Sequence, residues 1–256
     1  MGWLVKLIFF RRISQMDVMK KYDKLKLTKP STFVLVPKTV FIDGITTQAI
    51  GMYAYLAMKS ARCMQFGDQL VWQNASYAFI ANDLQIAANN YPAMNELKRL
   101  IQELEDAGYI KTNHFKWINE KWFNVILTPT NKADGFAKVY PNVFNQLLKK
   151  SKGLNTLKRL ALYVAMRSCI FDNTESSKVV GATPSYLGSL TGYSASTVFR
   201  HFVWLREHNI VAYYHVRLNN GSRNTKYYYA DINDHKILTK VIKDKIKHKR
   251  VLKVLD

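Results

Sequence analysis

The chain has little acid and almost no cysteine. Eighteen aspartates and glutamates stand against 38 lysines and arginines, for a formal net charge of +20 over 256 residues. An excess of that size repels itself in the compact state and is usually carried for a polyanionic partner, nucleic acid ahead of an anionic membrane. The two cysteines, Cys63 and Cys169, lie far apart. That excludes a disulfide framework or a cysteine-rich zinc site, which need several thiols at close spacing, and it points to a reducing cytoplasm. Each cysteine follows an apolar helical run, where a buried core thiol is expected.

Long hydrophobic runs are also missing. The stretch MGWLVKLIFF at 1–10 is too short to span a bilayer, and Lys6 interrupts it. Its arginines, Arg11 and Arg12, follow the apolar residues rather than precede them, unlike a secretory signal. It reads as a short amphipathic appendage or as upstream codons before a working start at Met16 or Met19, and the second reading is favoured. A soluble cytoplasmic protein with no membrane partner is expected. No phosphate-cradling glycine loop, HExxH or spaced metal-ligand cluster is found. The six histidines include no His-x-His pair of the kind a rolling-circle nickase uses for its metal. The expectation is therefore no enzyme, no cofactor and no metal.

What the chain does contain is apolar material for a core, 48% hydrophobic and 13% aromatic, and an internal repeat. FVLVPKTVFIDG (33–44) leads into the helical run ITTQAIGMYAYLAMKSARC (45–63); AKVYPNVFNQLL (137–148) leads into GLNTLKRLALYVAMRSCIF (153–171). Pro37 matches Pro141, Tyr55 matches Tyr163, and Met58-Lys59-Ser60 matches Met166-Arg167-Ser168. Both runs carry apolar residues at helical spacing. In the second copy PSYLGSLTG (184–192) predicts a short helix stopped by Gly192, and Ser194 is a good N-cap for a helix from Ala195 to His208. Asn209 suits the left-handed exit. IVAYYHVRL (210–218), a tip at 219–223 and NTKYYYADI (224–232) predict a β-hairpin.

The first copy follows suit. It has YAFIANDLQIA (77–87), a helix entered near Asn90 with Pro92 in its first turn and closed by Gly108, then strands at 109–118 and 121–129 around Asn119-Glu120. Aligning the third helices sets Leu97 against Val198, Arg99 against Arg200, Ile101 against Phe202 and Leu104 against Leu205. The predicted fold is α+β, two tandem winged-helix domains. A basic N-terminal extension (1–32) precedes the first domain (33–128) and the second (129–236), and a basic C-terminal helix (237–256) closes the chain. Net charges are +6, 0, +9 and +5 in that order. The second domain is thus the expected DNA reader, and the near-neutral first one is assigned dimerisation or weaker DNA contact.

A recognition helix needs one apolar face for the core and one face of groove-reading side chains. On the helix from Ala195, the core face is Val198, Phe202 and Leu205. Ser196, Arg200 and Val203 point the other way, flanked by Thr197 and Phe199. Arg200 is the candidate for bidentate contact with guanine, and Phe199 and Val203 for thymine methyls. The hairpin adds Arg217, Asn220, Arg223 and Lys226 for the minor groove or its phosphates. The matched face in the first domain is Asn95, Lys98, Arg99 and Gln102, with Glu103, Glu105 and Asp106 close behind. The tail ILTKVIKDKIKHKRVLKVLD predicts a basic amphipathic helix, packed on the second domain or adding phosphate or dimer contacts.

The repeat LNTLKRLALYVAMRS, followed by SYLGSLTGYSASTVFRHFVWL and a wing, resembles the Rep initiators of theta-replicating plasmids over about residues 33–232. FVLVPKTVFIDGITTQAIGMYAYLA is similar to the entry segment of winged-helix replisome-loading proteins from low-GC bacteria and phages. The first resemblance implies a first domain that dimerises and touches DNA and a second that reads iterated origin repeats, with Ser196, Thr197, Arg200 and Arg223 in contact. The long polar segment that often links elements in that family is absent here. Expected partners are double-stranded DNA, a second copy of the chain and host replication proteins. A winged-helix transcriptional regulator is the alternative, and a nickase or a membrane-surface protein is disfavoured.

Overall fold

The structure is a computed structural model that describes residues 18–28, 30–114, 122–129, 135–171, 174–219 and 224–256. Among the described residues it is a mixed α+β fold of eight helices and antiparallel sheets. The first half runs β1 (Val34–Pro37), α1 (Thr47–Lys59), β2 (Ala61–Cys63), β3 (Gln69–Ala75), α2 (Tyr77–Asp83), α3 (Tyr91–Asp106), β4 (Ile110–His114) and β5 (Phe123–Leu127). The second runs β6 (Phe136–Val139), α4 (Pro141–Lys150), α5 (Asn155–Ser168), β7 (Val180–Ala182), α6 (Pro184–Thr191), α7 (Ala195–Glu207), β8 (Val211–Leu218), β9 (Thr225–Asp231), α8 (His235–Lys247) and β10 (Val251–Val254).

Local chemistry sets the helix ends. Asn90 and Ser194 each accept a backbone N–H three residues on, from Ala93 and Thr197, which satisfies donors that a helix start leaves open. Gly192 (φ 71°) and Asn209 (φ 53°) take the left-handed conformations that terminate α6 and α7. Two four-stranded sheets have the orders β2-β3-β5-β4 and β10-β8-β9-β7. In both, the hairpin that follows α3 or α7 is joined by an earlier strand, so that β3-β5-β4 repeats as β7-β9-β8. The added edge strand differs: β2 lies beyond β3, whereas β10 pairs with β8.

The halves share one core. Helix α1 crosses α5 so closely that a Cβ on Gly51 would stand 2.0 Å from the Leu157 carbonyl oxygen. Strand β1 pairs with β6, Val34 opposite Val139 and Pro37 opposite Phe136. The α2–α3 turn of the first half docks on the entry to α5, where the Gly153 N–H donates to the Leu84 carbonyl at 2.6 Å and Gln85 Nε2 to the Leu148 carbonyl at 3.1 Å. Reciprocally, Thr47 Oγ1 at the start of α1 donates to the carbonyl of Thr191 in the α6–α7 turn. The α2–α3 and α6–α7 turns therefore each lean on the other half. A division at 128/129 cuts between strands β1 and β6, which are hydrogen-bonded across it.

Two expected segments look different in the structure. The tail is not one helix: α8 ends at Lys247, Lys249 turns with φ 55°, and the chain returns as strand β10 along β8. Val251 and Val254 are buried with two exposed residues, Leu252 and Lys253, between them, and the extra outward residue falls where the pairing with β8 shifts register between Val251 and Lys253. The expected N-terminal extension is, from Val18 onward, part of the second half. Tyr22 Oη donates to the Tyr213 carbonyl (3.0 Å) and accepts from the Tyr213 N–H (2.9 Å), and Met19 is buried. MGWLVKLIFF lies outside the described residues. Both cysteines are free and half-buried rather than core. Among the described residues no helix is long and apolar enough to cross a membrane.

Candidate nucleic-acid interface

Helix α7 is seated by its apolar stripe. Val198, Phe202 and Leu205 are buried, and the Phe202 ring lies 4.8 Å from that of Tyr229 on the hairpin. The opposite side carries exposed Ser196, Phe199 and Arg200, with Thr197 and Val203 half-buried. Thr197 is already engaged: its N–H donates to the Ser194 cap, and its Oγ1 accepts from Ser194 Oγ at 3.0 Å and from Arg200 Nη2 at 3.4 Å. It therefore orients the arginine more than it offers a free hydroxyl. Phe199 rests edge-on against Tyr227 (6.0 Å between centroids), which fixes its ring while leaving a face exposed. Among the described residues no carboxylate pairs with Arg200.

Strand alternation separates the two hairpin cations. Arg217, opposite Thr225, shares its sheet face with the His215–Tyr227 and Tyr213–Tyr229 pairs, the face that meets α7. Lys226, opposite Val216, lies on the other face with its Nζ 5.7 Å from the Tyr228 ring centroid, toward α8. Arg217 thus lies on the sheet face that α7 covers, and Lys226 belongs to the opposite one. Asn220 and Arg223 lie outside the described residues.

The matched face of α3 has the same geometry and a different charge state. Leu97, Ile101 and Leu104 are buried, and Asn95, Lys98, Arg99 and Gln102 are exposed. Arg99, however, is gripped on three nitrogens. Nε and Nη2 donate to the two Glu96 oxygens (2.8 and 2.7 Å), and Nη1 donates to Glu103 (2.9 Å). The Glu96 hydrogen bonds, then the charges of both glutamates, raise its pKa further. Gln102 donates to Asp106 at 2.9 Å. The Lys98 ammonium lies 5.9 Å from the Tyr77 ring centroid. Glu103 also accepts from Thr46 Oγ1 (2.8 Å), tying α3 to the start of α1.

Two cations that the sequence reading passed over stand beside α7. Lys158 and Arg159, in the first turn of α5, are half-buried next to His201. Arg159 stacks over the Trp204 ring at 3.6 Å and donates to Ser151 Oγ at 2.7 Å. Burial, then Arg159, Lys158 and Arg200, push the His201 pKa down to about 4, so the ring is neutral at physiological pH. The Glu96 pKa on α3 is lowered first by its hydrogen bonds from Arg99 and, last, by the Lys158 charge. The available signal was Lys158-Arg159 in the second repeat facing Ile50-Gly51 in the first. Among the described residues no group of three or more His, Cys, Asp or Glu is placed to hold a metal ion.

No family model, curated protein or solved structure matches the chain.

Proposed function

We propose that the chain is a sequence-specific double-stranded DNA-binding protein built from two tandem winged helices, with α7 as the principal reading helix. The observation that carries this reading is the exposed Arg200, without a carboxylate partner among the described residues and flanked by Ser196 and Phe199 on a helix whose other face is sealed into the core. An arginine so held can donate two parallel hydrogen bonds to guanine O6 and N7, and an exposed aromatic edge can pack on a thymine methyl. Arg217 and the two cations near the start of α5, Lys158 and Arg159, supply the phosphate contacts that must first fix a helix in the groove. The net charge of +20 supplies the long-range attraction.

The biological role proposed is initiation of plasmid or phage replication at iterated origin repeats, and it rests on the sequence resemblance. Duplex selection from a random pool tests the binding. Enrichment of one motif, abolished or relaxed by Arg200→Ala, is the expected result, and no enrichment would refute sequence-specific reading. Replication of a plasmid bearing tandem copies of that motif, dependent on the chain in trans, separates an initiator from a transcriptional regulator.

A further inference from the structure

The turn between α8 and β10 is pinned to the hairpin close to its tip. The Asn219 N–H donates to the Arg250 carbonyl (3.1 Å) and its Nδ2 to the Lys249 carbonyl (2.8 Å), while the Arg250 N–H closes the turn on the Lys245 carbonyl (2.8 Å). This brings cations from two remote segments around one aromatic ring. The Nζ of Lys226 on β9 lies 5.7 Å from the Tyr228 ring centroid, and that of Lys245 on α8 lies 5.1 Å from it. Gly181 on the neighbouring strand makes the arrangement possible, because a Cβ there would come within 2.6 Å of Lys226 Cε and 3.0 Å of Tyr228 Cε1.

Among the described residues Lys226, Lys245 and Arg250 have no acidic partner. Helix α8 forms its salt bridge elsewhere, between Lys240 and Glu175 at 2.8 Å. Burial, then Arg250 and Lys226, lower the Lys245 pKa, so the cluster is under its own repulsion. Like charges gathered without counter-charge destabilise the fold that holds them, and a polyanion relieves the cost.

We propose that this α8–β10 turn is a second wing, a phosphate-contacting surface built from Lys226, Lys245 and Arg250 that grips the duplex backbone on the side of the hairpin away from α7. It rests on the duplex binding proposed above and adds to it a sequence-independent contact outside the reading helix. An ammonium over a tyrosine face is held in place with its remaining donors free, which suits a point contact to phosphate oxygen.

The test is a salt series of affinity for a mixed-sequence duplex, comparing the full chain with its Lys245→Ala/Arg250→Ala variant. Each B-DNA phosphate neutralised contributes about 0.9 to the slope of log affinity against log salt, so the double variant should lose close to two from that slope. Base preference measured by selection should stay as in the wild type. Thermal stability should hold or rise, since removing self-repelling charge does not weaken packing, and Lys245→Arg/Arg250→Lys should keep the slope. An unchanged slope in a wild-type chain that binds duplex would overturn this surface alone. A loss of stability without a change of slope would assign the cluster to folding instead and also overturn it. A wild-type chain that does not bind duplex at all would overturn both this surface and the reading on which it rests.

Discussion

Helices α3 and α7 occupy equivalent positions in the two halves, bury the same apolar stripe and carry an arginine at the same place, yet their outward surfaces have opposite character. Arg99 is neutralised by Glu96 and Glu103, three positions before it and four after, whereas Arg200 donates to a threonine hydroxyl and, among the described residues, pairs with no carboxylate. A bound duplex must strip Arg99 of a bidentate carboxylate before it can donate to a base, and charge-assisted pairs of that kind are among the stronger hydrogen bonds. If α7 reads DNA as proposed, what sets it apart from α3 is the neighbours of the arginine, not its presence or exposure. Helix α3 has a mechanical role, because Glu103 holds the start of α1 and α1 carries the joint between the halves.

That joint gives the largest expected effect. If the halves fold as one body, Gly51→Ala must push α1 off α5, since the new Cβ meets backbone oxygen rather than a movable side chain. The cost should reach or exceed about 3 kcal/mol, the upper end of ordinary overpacking. Urea unfolding should show a single lowered transition seen equally by probes in both halves. A two-step curve with the second half unmoved would make the halves independent domains, and the comparison of α3 with α7 would then concern two separable proteins.

Next in size is the arginine pair itself. Arg200→Ala should weaken specific duplex binding by about 1–3 kcal/mol and relax preference at one base pair. Arg99→Ala should change binding by less and instead cost a few tenths of a kcal/mol in stability, roughly what exposed helical ion pairs contribute. Titration of both variants on one duplex at fixed salt decides it. Equal losses would mean that both helices read DNA.

Releasing the silent arginine is the complementary experiment. Glu96→Gln removes a charge and the bidentate grip, so affinity for mixed-sequence duplex should rise by less than about 1 kcal/mol. No gain under the same salt would place the α3 face away from the duplex.

Much of this division was legible in the residues, and the rest was hidden for identifiable reasons. Caps and stops have local chemistry, so Asn90, Ser194, Gly192 and Asn209 marked the ends of three helices. The apolar stripes of α3 and α7 followed from spacing alone. Strands β3 and β7 escaped notice: the three residues of β7, Val180–Ala182, have no alternation to detect, and β3 is defined by pairing with a distant β5. The tail read as helix throughout because Leu238, Ile242 and Ile246 set a period of four that nothing visibly ended, and the left-handed turn falls on Lys249, a residue type that does not announce one. Arg99 matches Arg200 in the alignment, and the acids behind it together with the zero net charge of its segment point to the weaker role; the particular pairing is written in Glu96-x-x-Arg99-x-x-x-Glu103, which has ion-pair spacing. The separation of Lys226 from Arg217 was implicit in strand alternation, but the partner that claims Lys226 is Tyr228 facing α8, and that placement is tertiary.

The smallest expected effect concerns one more matched position. Where α7 has His201, α3 has Leu100, fully buried and without charge at any pH. His201 is half-buried against Tyr193, with Arg159, Lys158 and Arg200 as its charged neighbours, and its pKa in the folded chain is about 4. Unfolded, the ring titrates near its ordinary value of about 6.5. Between those two values the unfolded chain binds the proton and the folded chain refuses it, so stability falls as pH drops through that window. The contribution is complete above about pH 6.5 and spent near pH 4. Solvent around a half-exposed ring screens the repulsion and keeps the effect modest. His201→Leu, which copies the first half, should therefore flatten the acid limb of a stability–pH curve while leaving stability near pH 7 little changed. Urea midpoints taken from pH 4 to pH 7 for the two proteins provide the check. An acid limb that persists unaltered in the variant would show that other groups carry it and that this difference between the helices has no energetic consequence.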